Sequence, residues 1–199
     1  MNSSKISQRL EKQMNFIKEM DKLKSIRRRS LLINEDRAEN DAEHSWHLAL
    51  AAIILSEYSL EKIDLLKVMK MVIIHDIVEI DAGDTYCYDK EGLKTQEKRE
   101  MEAAQKLFGM LPKDQKTELF TLWREFEDKQ TPEAKFAASL DRLQPILLNY
   151  SKGGIAWKKR KIKRQQVEER QNVTQEGSQD IYNYIMEVIE AAYNEGMLQ

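Results

Sequence analysis

The chain has three histidines, and all of them fall in two short segments, His44 and His47 in NDAEHSWH and His75 in MVIIHDIVEIDAGDTY. The second segment places a carboxylate, Asp76, beside the imidazole within an apolar run, then adds Glu79 and a Gly83-Asp84 turn. A carboxylate in apolar surroundings is costly unless a cation pairs with it. A third segment, AASLDRLQPILL, carries Asp141 on an otherwise apolar stretch. Imidazole and carboxylate together suit borderline divalent ions, and an open site keeps positions for water and substrate. Histidine from one helix, the His-Asp pair from a second and a carboxylate from a third would hold a metal cation that pairs with Asp76. Adjacent helix positions point about 100° apart, so His75 and Asp76 can both reach an ion above the ridge between them. Glu79 covers the same surface one turn further along, where it would support the ligands or act in the chemistry.

Those residues need helices to bring them together. Apolar residues recur at three- and four-residue spacing almost throughout, β-branched alternation is nearly absent, and only seven glycines and three prolines interrupt the chain. The pattern predicts an all-α fold, a single compact helical bundle. A first helix is expected over 5–24 with Ile6, Leu10, Met14, Ile17, Met20 and Leu23 as its apolar stripe. An arginine-rich connection follows. Asn40 and Glu43 form a capping-box variant for a second helix, which runs to about Tyr58 through Trp46, Leu50, Ile53 and Ile54. A third is expected over 63–80 with Leu66, Met69, Val72, Ile73 and Ile77 buried, stopped by Gly83. A loop over 89–92 leads to helices over 95–109 and 113–128. Thr131 and Pro132 open the next, which continues to about Tyr150 with Pro145 inside it. Pro145 removes the hydrogen bond to the carbonyl of Asp141 and is expected to bend the helix there. Gly153 and Gly154 break the chain, and a last helix is expected over 178–193.

A length of 199 residues suits one domain, 1–199, with a motif-bearing core at about 20–150 and a helical extension over 151–199. Thirty-two basic and 34 acidic residues give a formal charge of −2, so no global field recruits nucleic acid or an anionic membrane. The single cysteine, Cys87, excludes an internal disulfide framework. No apolar run approaches the ~20 residues that span a bilayer. The segment MNSSKISQRLEKQ lacks the apolar core of a signal peptide, and a cytoplasmic location is expected. The basic run WKKRKIKR at 157–164 flanks an aromatic with cations, as nucleic-acid surfaces do, but acidic residues follow closely and a solvated helix face is expected.

The motifs EHSW at 43–46, HDIVE at 75–79, GD at 83–84 and LDRLQP at 140–145, in this order, resemble those of the HD-domain metal-dependent phosphohydrolases. They are most similar to those of the bacterial 5′-deoxynucleotidases and their relatives. The likeness covers about 20–150, with a weaker echo in GGIAWKK. It implies a divalent metal held by His44, His75, Asp76 and Asp141, a carboxylate near the attacking water at Glu79, and a substrate-contacting aspartate at Asp84. It also implies a phosphate-contacting arginine fifteen residues before the first histidine, which is Arg29. The nucleotidases follow that arginine with tryptophan, where this chain has Ser30, so contacts to sugar or base differ. Arg37, seven residues before His44, is a second candidate for the phosphate. His47 is left out of the ligand set.

The expected activity is release of phosphate from a small nucleotide, foremost a deoxyribonucleoside 5′-monophosphate. One metal ion, Mn²⁺, Co²⁺, Mg²⁺, Fe²⁺ or Zn²⁺, is expected, since ligand type does not choose among them. A homodimer is expected because helical HD relatives commonly pair. Alternatives are an HD hydrolase of nucleoside triphosphates or guanosine tetraphosphate, and a metal- and nucleotide-binding regulator without turnover. Tetraphosphate hydrolases usually follow the HD pair with adjacent Glu-Asp, whereas Ile80 follows Glu79 here. An intact Glu79 argues against the regulator.

Overall fold

The computed structural model describes residues 7–199. Lys5 and Ile6 of the expected first helix lie outside the described residues. Helix α1, Gln8–Met20, begins where the Ser7 hydroxyl accepts from the Leu10 amide and passes into a 3₁₀ turn, Asp21–Ser25. The arginine-rich connection is not irregular. It forms β1, Arg27–Leu31, antiparallel to β2, Ala38–Asn40, with Arg27 opposite Asn40 and Leu31 opposite Ala38. Strand alternation turns Arg28 and Ser30 inward and leaves Arg27 and Arg29 exposed. This hairpin is the one departure from the all-α expectation among the described residues.

Helix α2, Asp41–Leu55, carries the expected capping box: Asn40 Oδ1 accepts from the Glu43 amide at 2.9 Å, and Glu43 Oε2 from the Asn40 amide at 3.0 Å. The single helix expected over 63–80 is three pieces: α3, Leu65–Ile74, a 3₁₀ turn, His75–Val78, and α4, Glu79–Ala82. All four residues of that turn are buried, because packing surrounds it on every side. Gly83, at φ 76°, ends the segment as expected. Helix α5, Lys90–Phe108, starts earlier than expected because Asp89 caps the Glu91 and Gly92 amides, absorbing the predicted loop. Helices α6, Lys113–Asp128, and α7, Pro132–Ser151, follow the reading closely. Short helices α8, Ile155–Arg160, α9, Arg164–Glu168, and α10, Asn172–Gly177, lead to α11, Gln179–Asn194, capped by Ser178. Periodicity alone predicts no elements at α9 and α10, which are only five and six residues long.

Helix α7 is the axis, contacting α2, α3, α6, α10 and α11. Phe136 and Leu140 on it meet Leu48 of α2, Val68 and Val72 of α3, and Ile185 and Ile189 of α11 in the larger core cluster. A smaller cluster joins Phe16, Ile77, Leu107, Phe108 and Trp123. Each fully buried large side chain of this kind contributes ~1.5–3 kcal/mol. The expected stripes need correction. Leu10, Met14 and Ile17 of α1 are exposed while Phe16 and Leu23 are buried. On α2 the buried side is His44, Ser45, Leu48 and Ala52, and Trp46, Leu50, Ile53 and Ile54 face outward. Leu66 and Ile73 of α3 are likewise exposed. These helices are apolar on two sides, so periodicity could not say which side the core would take. No described helix is long and apolar enough to cross a membrane.

Candidate active site

His44 leaves the inner face of α2, His75 and Asp76 the 3₁₀ turn after α3, and Asp141 the middle of α7. His44 Nε2 stands 3.1 Å from Asp141 Oδ1 and 3.9 Å from Asp76 Oδ2. His75 Nε2 stands 3.8 Å from Asp141 Oδ1, and 3.0 Å from Asp76 Oδ1 outside hydrogen-bonding alignment, so that nitrogen is buried without a partner. One donor atom from each of His44, His75 and Asp141 falls within 4.8 Å of the others. The four residues expected to hold the metal are therefore brought together from three separate elements.

The ring orientations are set from behind. His75 Nδ1 donates to the Val72 carbonyl at 3.0 Å. A carbonyl only accepts, so Nδ1 carries the hydrogen and the neutral ring presents a bare Nε2. The Gln144 amide donates through Nε2 to Glu39 Oε1, which turns its Oε1 toward His44 Nδ1 at 3.1 Å. His44 thus also presents a bare Nε2. Two nitrogen lone pairs then face the Asp141 and Asp76 carboxylates, an arrangement that repels unless a proton or a cation lies among them. A divalent ion fits this donor set, and imidazoles oriented by a buried second partner are how proteins hold one.

Protonation equilibria follow from the same crowding. Burial by itself would lower His75, but the charges of Asp76 and Asp141 overcome it and raise the imidazole to about 10. Burial would raise Asp141, but the adjoining imidazoles of His44 and His75, with the charge of Arg142, hold it well below the usual carboxylate range. Asp76 is lowered too, with His75 and Arg28 outweighing its burial. Glu79 goes the opposite way: burial, with the neighbouring charges of Asp76 and Asp41, pushes it up to about 12. Asp84 is also raised, first by burial, and its Oδ2 is buried without a partner.

The sequence reading missed Arg28 and Asp41. Asp41, Asp76 and Glu79 bring carboxylate oxygens within 4.8 Å of one another. Arg28, on β1, donates to Asp76 Oδ2 at 2.5 Å and Asp41 Oδ1 at 3.3 Å, and lies within 4.0 Å of Glu39 and Asp141. The available signal was strand alternation, which separates Arg28 from Arg29, but it required recognising a strand in RRRSL. Arg29 and Asp84 both line the cavity over the centre. Arg37 does not. It is bound to Glu43 by two bonds of 2.7 and 2.9 Å and to Glu35 at 2.7 Å, so the phosphate role expected for it is withdrawn. His47 stands behind the site, with Nδ1 3.3 Å from Gln144 Nε2.

The cavity holds about 550 Å³, within the range of small-molecule sites. His75, Asp76, Glu79 and Asp141 form one part of its wall, and Tyr86, Cys87, Tyr88, Arg142, Trp157 and Arg170 another. The basic run at 157–164 therefore divides. Lys158, Lys159, Lys161 and Lys163 are exposed as expected, while Trp157 is buried against the cavity.

Comparison with known proteins follows the same lines. Residues 20–182 match the HD domain family. The 5′-deoxynucleotidase HDDC2 of Homo sapiens is 29% identical over 135 residues, covering 67% of this chain and 65% of the relative. The chain thus spans under two thirds of that relative's length. A crystal structure of a predicted metal-dependent phosphohydrolase from Magnetospirillum magnetotacticum MS-1 has a TM-score of 0.91 and 45% identity, covering 96% of this chain and 95% of that one. The PH0347 protein of Pyrococcus horikoshii OT3, at 22% identity and a TM-score of 0.62 over 88% of this chain and 99% of its own, shares the fold.

Proposed function

The chain belongs to the HD-domain family, and from that premise we propose that it is a metal-dependent phosphohydrolase releasing phosphate from deoxyribonucleoside 5′-monophosphates. The observation that carries this reading is the pair of imidazoles whose Nδ1 atoms are engaged by Val72 and Gln144 while both bare Nε2 atoms face Asp76 and Asp141. His44, His75, Asp76 and Asp141 would hold a single divalent ion, one of Mn²⁺, Co²⁺, Mg²⁺, Fe²⁺ or Zn²⁺. Such an ion supplies Lewis acidity, acidifying a water and offsetting charge on a phosphoryl oxygen. Glu79, on the cavity wall beside the metal-binding residues, orients the attacking water or takes its proton. Arg29 holds the remaining phosphate oxygens by a two-pronged contact that lysine cannot copy. Asp84, with an unpartnered buried oxygen on the cavity wall, meets the sugar or assists the leaving oxygen.

The whole chain works as one domain, since α8 and α10 pack on α7 beside the site. Its expected place is the cytoplasm. Its expected state is a homodimer, supported by apolar residues exposed at one-face spacing on α2, where Trp46 is 66% and Ile54 62% exposed, and on α3, where Leu66 is 61% exposed.

The test is phosphate release by purified protein with each of the five ions, against a panel of ribo- and deoxyribonucleoside monophosphates, beside Asp76→Ala. Release by the native protein and a loss of at least ~10³-fold in the variant are expected, the scale on which oriented charge stabilisation acts. Equal release by the two proteins would refute the site.

A further inference from the structure

We propose that the cavity carries a second phosphate subsite, formed by Arg170 on its wall with Tyr86 and Tyr88 and by Arg160 stacked on Tyr86 at its edge, which takes a second phosphate group of the nucleotide substrate. This rests on the phosphohydrolase reading and extends its substrates from the 5′-monophosphates to nucleotides that carry a second phosphate. The Arg160 guanidinium sits 5.0 Å from the centre of the Tyr86 ring, and that of Arg170 lies 5.7 Å from the centre of the Tyr88 ring. The two rings meet edge to face at 5.4 Å. Arg170 also donates to the Cys87 carbonyl at 3.3 Å, which ties the turn Glu169–Gln171 to the Tyr86–Tyr88 segment. Arg29 lines the same cavity, and its charge acts on both Tyr86 and Asp84.

Charge pairing distinguishes these arginines from the rest of the surface. Of the other arginines, Arg9, Arg28, Arg37, Arg124, Arg142 and Arg164 have carboxylate partners, Arg99 donates to the Ala82 and Gly92 carbonyls and the Thr85 hydroxyl, and Arg27 is exposed. Among the described residues Arg29, Arg160 and Arg170 have no carboxylate within 4.0 Å, although Arg160 and Arg170 are half-buried. Arg142, on the same wall, is committed to Asp141 at 2.7 Å. Half-buried cations without a counter-charge are poorly accommodated unless an anion completes them. A monophosphate held by the metal centre and Arg29 leaves Arg160 and Arg170 without one. Their planar forks match phosphate oxygens, and stacking on the tyrosines pre-orients them. His75, Asp76 and Asp141 of the metal centre line one continuous cavity with Arg170, so a single ligand reaches both ends.

The second phosphate has two possible positions, on the 3′ oxygen of the sugar or in a 5′ anhydride. In both cases water adds to the phosphorus at the metal centre, the P–O bond to the leaving oxygen breaks, and that oxygen takes up the water's proton. Binding of deoxyadenosine 5′-monophosphate, 3′,5′-bisphosphate and 5′-diphosphate would be measured by calorimetry on metal-free protein, and kcat/KM for phosphate release on metal-loaded protein. Native protein is expected to bind at least one two-phosphate ligand about tenfold or more tightly than the monophosphate. Arg160→Gln and Arg170→Gln should each reduce that preference about tenfold, the weight of one charge-assisted contact. The ligand whose preference falls identifies the position of the second phosphate. Lys159→Gln, on the exposed side of the same helix, serves as the control and should leave the preference unchanged. Arg160→Lys, which keeps the charge but not the fork, replaces Arg160→Gln if that variant does not fold. A native preference below twofold, or a preference that survives both substitutions, overturns the subsite. If no nucleotide is hydrolysed, the phosphohydrolase reading fails, while the binding preference still decides the subsite.

Discussion

His44 and His75 each commit Nδ1 to a protein acceptor, and what remains of each ring is directed at carboxylates rather than at donors. Gln144 is the hinge of this arrangement, because it joins His44 to Glu39 from a fully buried position. Gln144→Leu should weaken metal binding by about 10- to 100-fold with the fold intact, as loss of a partner behind a ligating imidazole does. Metal titration followed by circular dichroism would check it. Arg28 is the other decisive side chain, a buried cation among Asp41, Asp76, Glu39 and Asp141. Arg28→Met leaves those carboxylates uncompensated, and breaking a buried pair costs ~3–5 kcal/mol. The metal-free variant should melt about 10 °C lower than native protein, and saturating Mn²⁺ should recover much of the difference. Arg37→Ala, by contrast, removes an exposed ion pair worth ~0–1 kcal/mol and should leave kcat/KM within about twofold.

At the scale of elements, the break of α3 into a 3₁₀ turn keeps His75 and Asp76 on the side of α7, and Gly83 then releases the chain toward the cavity wall at Asp84. Close packing of α10 on α7 brings the C-terminal part of the chain to the site. Gly177 makes that approach possible: a Cβ there would land on the Ser139 hydroxyl and the Lys135 carbonyl of α7, and the carbonyl is backbone that cannot step aside. Gly177→Ala should therefore destabilise the protein by ~1–3 kcal/mol, the usual cost of overpacking, read as a shift in urea midpoint without change in slope. The turn Glu169–Gln171 lies just before α10, so the same variant should weaken two-phosphate ligands more than monophosphate if Arg170 loses its place.

Over the whole molecule, carboxyl groups in the cavity make stability depend on pH. Glu100 of α5 is raised to about 7, chiefly by burial, against the single nearby donor Gln96. Its native form binds a proton more tightly than the unfolded chain, so its contribution is complete below about pH 4.5 and is lost as pH rises toward 7. Glu100→Gln abolishes that loss. The variant should melt about 2–4 °C above native protein at pH 8 and no higher at pH 4.5, with thermal scans across the range as the check. The outward apolar residues on α2 and α3 belong to this scale as well. Trp46→Glu should convert a dimer to monomer in light scattering without lowering the stability of the monomer core, since Trp46 packs outside it.

Much of this was legible in the residues themselves. The helical class followed from periodicity, the ends of α2 and α7 from their capping residues, and the candidates for a shared centre, His44, His75, Asp76 and Asp141, from residue type and local spacing. Tertiary structure alone decided which apolar side of α1, α2 and α3 was buried, since each offered two sides and only the neighbouring helices choose. It alone separated Arg28 from Arg29, because one step along a strand reverses a side chain's direction, and it tied Arg37 to Glu43. It also turned Arg160 and Arg170 toward Tyr86 and Tyr88, contacts across some eighty residues of chain that no local pattern encodes.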